Sequence, residues 1–400
     1  MRKKITNKIK NGNKKIVLNI VKERQSLSRT RIGQLTKIRL ASITKYVQEL
    51  MQEKWLIEEN RKPASQRPRN TLLGINPEKG FFVGIEFDPE WIVGVVTDMK
   101  GNVKKKIKRK TNPEKGKEAI IANLLSAIRE LILISEQKKI SGIGISAHGI
   151  IDTKNGICVF YDQFENWRNV PLKGLIEKEF NLPVVLQGTA PMKVFAEKNL
   201  GTGNGTNNLI FIEYGPAGIG AGFIFNGQLF RGTTDNAGEL GHTVLEPEGP
   251  ICNCGMRGCL EALASESVLA VQARTLLGEG ANSLINELSG GKPESVTAEM
   301  VFAAARRGDN LSLGLIDNAA KYLGMGIANL INLLNPEVVV LDPQFNQIKD
   351  ILLAPTKRAI ATHTLQRLMK NVRIEISHLG EEIGALGVCA YLIEQEMQLC

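Results

Sequence analysis

The chain has 400 residues, long enough for two or three domains with sizeable cores, and its 43% hydrophobic and 23% charged content excludes a disordered or fibrous protein. Its longest apolar runs, such as residues 131–135 and 338–341, fall far short of the ~20 residues that a membrane span requires. The net charge of +10 is unevenly spread: residues 1–72 carry 19 Lys+Arg against 5 Asp+Glu, whereas the rest carries 32 against 36.

A basic head therefore precedes a mildly acidic body. The start, MRKKITNKIKNGNKK, leads into no signal-type apolar core. A reducing, cytoplasmic setting is expected, in which cysteines serve as metal ligands or buried thiols rather than disulfides. Charge alone suits a solvated lysine-rich tail as well as a nucleic-acid-binding head. The pattern within the head decides between them. In KKIVLNIVKE (14–23), Ile16, Val17, Ile20 and Val21 form one face of a helix. Ser28 stands at an N-cap position before RTRIGQL, and Thr36-Lys37-Ile38 makes a short break. A third helix is predicted over residues 39–54, with Leu40, Ile43, Val47, Leu50 and Met51 inward. WLIEE, a polar turn and TLLGIN then read as a hairpin.

Three helices and a hairpin predict a winged helix-turn-helix over residues 1–75. On that plan the third helix enters the major groove, presenting Arg39, Ser42, Thr44 and Lys45 to phosphates and base edges. Arg67 and Arg69, stiffened by Pro68, suit a narrow A·T-rich minor groove, unless the segment is only a basic linker.

From Gly80 onward strands and helices alternate: residues 82–86 and 91–97, a turn at Lys100-Gly101-Asn102, the strand VKKKIKRK, a helix over 115–136, and the buried strand ISGIGIS. Further on, GHTVLEPEGPICNCGMRGCLE (241–261) gathers His242, Cys252, Cys254 and Cys259. Three thiolates and an imidazole complete a tetrahedron around Zn2+ with no position left for water, so a structural zinc is expected. Cys158, Cys389 and Cys400 are scattered and read as ordinary apolar or terminal residues.

The layout resembles the two-lobed ribonuclease-H-like (actin/hexokinase-type) ATPase fold, giving an α/β fold class behind the winged head. GIGISAHGIID (142–152), WRNVPL (167–172), GELGH (238–242) and CNCGMRGCLE (252–261) closely resemble the ROK family of repressors, open reading frames and sugar kinases. The resemblance continues through YLGMGIANLINLLNPEVVVL (322–341) and 384–393. It implies one lobe over 76–186, completed by the C-terminal helix 384–400, and a second over 187–383 with the zinc loop and an oligomerisation surface. With the basic head in front, the chain is similar to the repressor branch, which includes xylose and N-acetylglucosamine repressors.

Compared with the family's kinases, the nucleotide site is altered in three places. The first phosphate loop, Asp-x-Gly-Gly-Thr in the family, reads Glu86-Phe87-Asp88-Pro89-Glu90. The second reads Pro216-Ala217-Gly218, and the adenosine-side Gly-Gly is Asp342-Pro343. No ATP binding is expected, and no enzyme activity. The family's sugar-binding Asn-Asp pair, whose aspartate is the kinase base, is Gly188-Thr189, and a threonine hydroxyl cannot accept the substrate proton at neutral pH. Glu239, His242 and Glu261 match the remaining sugar contacts. Two readings stay open: an altered sugar-like effector held by Glu239, His242, Glu261, Gly188 and Thr189, or a disused pocket in which the two glutamates orient metal ligands. His148 is expected to be a surface or capping histidine. The expected protein is a transcriptional regulator of carbohydrate-related genes, a homodimer or homotetramer on a pseudo-palindromic operator. A sugar kinase with an accessory head is the alternative.

Overall fold

The computed structural model describes residues 2–59, 71–135, 139–161 and 163–400, with side chains from residue 12 onward. The head begins with α1 (Arg2–Arg24), which turns Val17, Leu18 and Val21 inward. A two-residue strand β1 (Leu27–Ser28) follows, and the Ser28 side chain accepts a hydrogen bond from the Arg31 amide to cap α2 (Arg29–Thr36). Lys37, at φ 58°, ends α2 in a left-handed conformation and aims the chain into α3 (Leu40–Gln52). Here Ile43, Tyr46, Val47 and Leu50 are buried at helical spacing. Leu40, expected inward, is 52% exposed, because α3 starts there and its inner face begins at Ile43. β2 (Leu56–Glu59) and β3 (Leu72–Ile75) pair antiparallel, and β1 adds to the far edge of β3.

The body holds two five-stranded sheets of matching topology. In the first, β4 (Phe81–Phe87), β5 (Trp91–Asp98) and β6 (Val103–Lys110) form an antiparallel meander. The helix α4 (Lys117–Leu133) then crosses to β7 (Ile140–Ala147), parallel to β4. A small antiparallel sheet of β8 (Ile150–Asp152), β9 (Ile157–Phe160) and β10 (Arg168–Val170) leads through α5 (Leu172–Phe180) to β11 (Val184–Gly188), parallel to β7. The apolar run FFVGIEF suits its fully buried central place, while VKKKIKRK, at the edge, alternates lysines toward solvent and blocks further pairing.

After α6 (Thr189–Leu200), the second sheet repeats the plan with β12 (Leu209–Gly215), β13 (Gly218–Phe225) and β14 (Gln228–Phe230). The chain then makes α7 (Leu260–Ala264), α8 (Glu266–Gly278), α9 (Leu284–Leu288), α10 (Ala298–Arg306) and the long α11 (Asn310–Leu334). It returns as β15 (Val338–Leu341), parallel to β12. Three short helices, α12 (Phe345–Ile348), α13 (Ala354–His363) and α14 (Gln366–Met369), precede β16 (Arg373–Ile376) and the final α15 (Ile383–Gln398).

The helices α6 and α15 lie against each other and between the sheets, α15 on β4 and β7, α6 on β12 and β13. A Cβ on Gly387 would strike the Met192 carbonyl, so the two helices cross with backbones nearly touching. Both are buried almost all round, and this removes any solvent-facing side from α6. The far end of α15 meets the head, where Lys15 Nζ donates to the Gln398 carbonyl and Lys22 pairs with Glu394 at 3.7 Å. Among the described residues no helix is long and apolar enough to cross a membrane.

Candidate functional site

The metal loop comes first. A short 3-10 turn, Leu240–His242, carries His242, and the loop before α7 carries the cysteines. Gly258, at φ 67°, lets the loop fold against the Glu246 carbonyl, where any Cβ would collide. The ligand atoms of His242, Cys252, Cys254 and Cys259 all lie within 4.8 Å of one another. Cys254 and Cys259 Sγ are 3.7 Å apart, and Cys252 Sγ is 3.7 Å from His242 Nδ1. A tetrahedral ion with metal–sulfur bonds of about 2.3 Å separates its sulfurs by about 3.8 Å, so these residues fit one. The other ring nitrogen, His242 Nε2, is 3.9 Å from Glu239 Oε2.

The same loop carries part of the residue set expected from sequence to hold an effector. Glu261, in the first turn of α7, accepts a hydrogen bond from the Ile219 amide at 3.1 Å. Burial raises the pKa of Glu239, His242 opposes that, and both Glu261 and Glu213 press upon it. Glu239, His242 and Glu261 are thus together. The rest of that set is closed over: Gly188 caps α6, and Thr189 is 5% exposed. The Thr189 hydroxyl donates to Glu213 Oε2 at 3.1 Å and lies 3.3 Å from His148 Nδ1.

Behind Thr189 is a buried charge cluster that sequence reasoning did not foresee. Lys193 Nζ sits 2.7 Å from Glu213 Oε1, 3.0 Å from Asp342 Oδ2 and 3.3 Å from Glu86 Oε1. Burial works against the ammonium charge, yet Asp342, Glu213 and Glu86 overcome it and hold Lys193 well above its ordinary value. Burial pushes Glu86 up to about 7, with Lys193 pulling down and Glu213, Asp342 and Asp88 pushing further up. Asp342 is likewise raised by burial, whereas Lys193 and His148 draw Glu213 below the usual carboxylate range despite its burial. His148 is not the surface or capping residue expected from sequence. It is 9% exposed, stacks 5.9 Å from the Tyr161 ring, and burial lowers its pKa.

These groups line one end of a cavity of about 590 Å³ that also reaches Pro216, Pro343 and the β4–β5 turn. In that turn, Asp88 Oδ1 accepts from the Glu90 and Trp91 amides, both at 2.7 Å. Pro216 and Ala217 form a tight two-residue link, since Gly215 already pairs with Gly218. The Glu90 and Trp91 amides of this turn are thus occupied by Asp88, and Pro89, Pro216 and Pro343 carry no amide hydrogen.

In the head, Arg39, Thr44 and Lys45 are exposed and Ser42 is half-buried. The Thr44 hydroxyl is turned back to the Leu40 carbonyl at 3.0 Å. Arg67 and Arg69 lie outside the described residues.

The ROK family model matches residues 82–396. The chain belongs to the ROK family. Among its ROK relatives, a xylose repressor of Caldicellulosiruptor bescii is 29% identical over 387 residues, which are 96% of each chain. A glucokinase of Thermotoga maritima is 34% identical over 307 residues, 94% of the kinase but only 76% of this chain. A solved ROK transcriptional regulator, described as a homologue of the E. coli MLC protein, superposes with a TM-score of 0.80 at 27% identity. That match covers 97% of this chain and 96% of the other. The body is accordingly a mixed α/β structure with the sugar-kinase-like ROK fold. Within the ROK body, the signal for Lys193 lay in TAPMKVFAEKNL, where Thr189, Lys193 and Glu197 recur every four residues among Met192, Val194, Phe195 and Ala196.

Proposed function

We propose that the protein is a DNA-binding transcriptional repressor of carbohydrate-related genes whose ROK body senses a small molecule and does not phosphorylate it. The observation that carries this reading is the extent of similarity: it covers 96% of the chain with the xylose repressor but only 76% with the glucokinase, a difference about the size of the head. The head supports it with a basic three-helix unit and a small antiparallel sheet, which we read as a winged helix-turn-helix over residues 1–75. Its third helix would present Arg39, Ser42, Thr44 and Lys45 to the major groove, with Arg67 and Arg69 reaching the minor groove. Thr189 supports the loss of catalysis, because its hydroxyl is spent on Glu213 and cannot itself take the substrate proton.

We divide the body at residues 76–186 with 384–400, and 187–383. In the second lobe, a structural zinc on His242, Cys252, Cys254 and Cys259 holds Glu239 and Glu261 beside the cleft, where they would take a sugar-like effector next to Gly188 and Thr189. The helix α15 offers a route to the head: its first turn donates the Gly384 amide to Glu86 at 3.0 Å, and its other end touches α1. A homodimer or homotetramer would read a pseudo-palindromic site with half-sites one or two turns apart, about 10.5 bp per turn.

The test is selection of bound genomic DNA by the full-length protein, followed by gel shifts with pentoses, hexoses and amino sugars. A recurrent inverted repeat whose binding one sugar changes is expected. Recovery of no enriched sequence would overturn the reading. The 34% identity with the glucokinase favours a kinase as the second reading, and ADP formation from ATP with xylose or glucose would support it.

A further inference from the structure

Glu266 has an unusual position. It begins α8 next to the capping Ser265 and is 8% exposed, yet it lines the cleft cavity. Among the described residues no hydrogen bond or ion pair reaches its carboxylate. Burial pushes it up to about 8, and its electrostatic neighbours Glu299, Asp342 and Glu90 push in the same direction. An isolated acid in such a place is unfavourable unless something positive is to meet it. The cavity's own cations are committed elsewhere: Lys193 to Glu213, Asp342 and Glu86, and Lys108 to Glu381.

Apart from Asp342, which Lys193 already holds, the carboxylates come from separate elements: Glu266 from α8, Glu299 from the first turn of α10 and Glu90 from the β4–β5 turn. Among the described residues Glu266 shares no cluster of ligand atoms tight enough for one metal ion. The spread of charge suits a ligand with several separated positive centres. Between the acids, Trp91, Val93, Phe302 and Ile348 supply apolar wall, which suits methylene groups between those centres.

We propose that the nucleotide half of the ROK cleft has become a site for an aliphatic diamine or polyamine, with one ammonium group bound by Glu266. The assignment goes beyond the repressor reading and does not depend on it, since binding is measured on the protein without DNA. Where ATP would bring negative charge, this cavity offers negative walls, so the ligand class is inverted in sign while the location is kept.

The experiment is calorimetric titration of the full-length protein with spermidine and putrescine, with Mg2+ as a separate arm at matched ionic strength. One saturable polyamine site is expected. Glu266→Gln should weaken it about tenfold or more, the size of a lost charge-assisted hydrogen bond in a buried site. The exposed Glu299→Gln should weaken it by a smaller factor, and unfolding midpoints should be unchanged or higher, because each variant relieves repulsion. Equal spermidine affinity in wild type and Glu266→Gln would overturn the proposal, as would no saturable site. A Mg2+ site abolished by Glu266→Gln and not displaced by spermidine would overturn it in favour of a metal. Loss of operator selection with intact spermidine binding would sink the repressor reading alone.

Discussion

Replacing Lys193 with methionine keeps an unbranched side chain, one atom shorter, and removes the charge that three buried carboxylates share. The contacts of 2.7, 3.0 and 3.3 Å are each worth on the order of 5 kcal/mol gross at an effective dielectric constant near 20. Desolvation of the ammonium and repulsion among Glu86, Glu213 and Asp342 offset most of that sum. The net loss on deleting one partner of a buried ionic group is about 3–5 kcal/mol. The variant can limit its loss by protonating carboxylates, which makes the effect depend on pH. In the wild type Glu86 is already raised to about 7 and Asp342 is raised as well. A carboxyl whose folded value is raised contributes its stability below the unfolded value, near 4.5, and loses it as pH climbs through the folded value. Without Lys193, Glu86 and Asp342 move further up and Glu213 loses the main charge that holds it down, so the window of loss extends to higher pH. Urea unfolding followed by fluorescence should therefore show Lys193→Met about 1 kcal/mol less stable at pH 5, from lost hydrogen bonding, and about 3–5 kcal/mol less stable at pH 8. Equal losses at the two pH values, or a loss under ~1 kcal/mol at pH 8, would refute the assignment of Lys193 as the buried counter-ion.

Other outcomes follow from the same geometry. Cys252→Ser should lower the zinc content of purified protein from one equivalent towards none and reduce its unfolding midpoint, as measured by atomic absorption and a thermal melt. Arg39→Ala and Lys45→Ala should each weaken operator binding, and loss of a phosphate contact at Lys45 should reduce the slope of log K against log salt by about one. Thr189→Asp should not restore ATP-dependent sugar phosphorylation, since the phosphate-binding loops remain altered at Pro89 and Pro216; ADP release above background in a coupled assay would contradict this.

The parts of the molecule that sequence made legible are those in which the informative residues are close along the chain. The candidate metal loop needs only residues 242–259, and the structure brings its four ligand atoms within 4.8 Å of one another. The head's Ser28 cap and Lys37 break are also local, decided by backbone chemistry within a few residues. Leu40 marks the limit of that reasoning, because periodicity gives a helix its inner face but not the residue at which the neighbouring elements begin to cover it. The charge cluster lies beyond local reasoning altogether. Lys193 meets Glu213 from the next strand, Glu86 from the first sheet and Asp342 149 residues further on. Read singly, each residue looks like a loss from a kinase site: Glu86 in place of a phosphate loop, Asp342 in place of a glycine. Brought together by the crossing of α6 and α15, they become one neutralised core, with Glu266 left outside it and unpaired. Thr189 then has a positive role: a carboxylate at that position would add a fourth negative charge beside Glu213, in a space where a single ammonium already serves three.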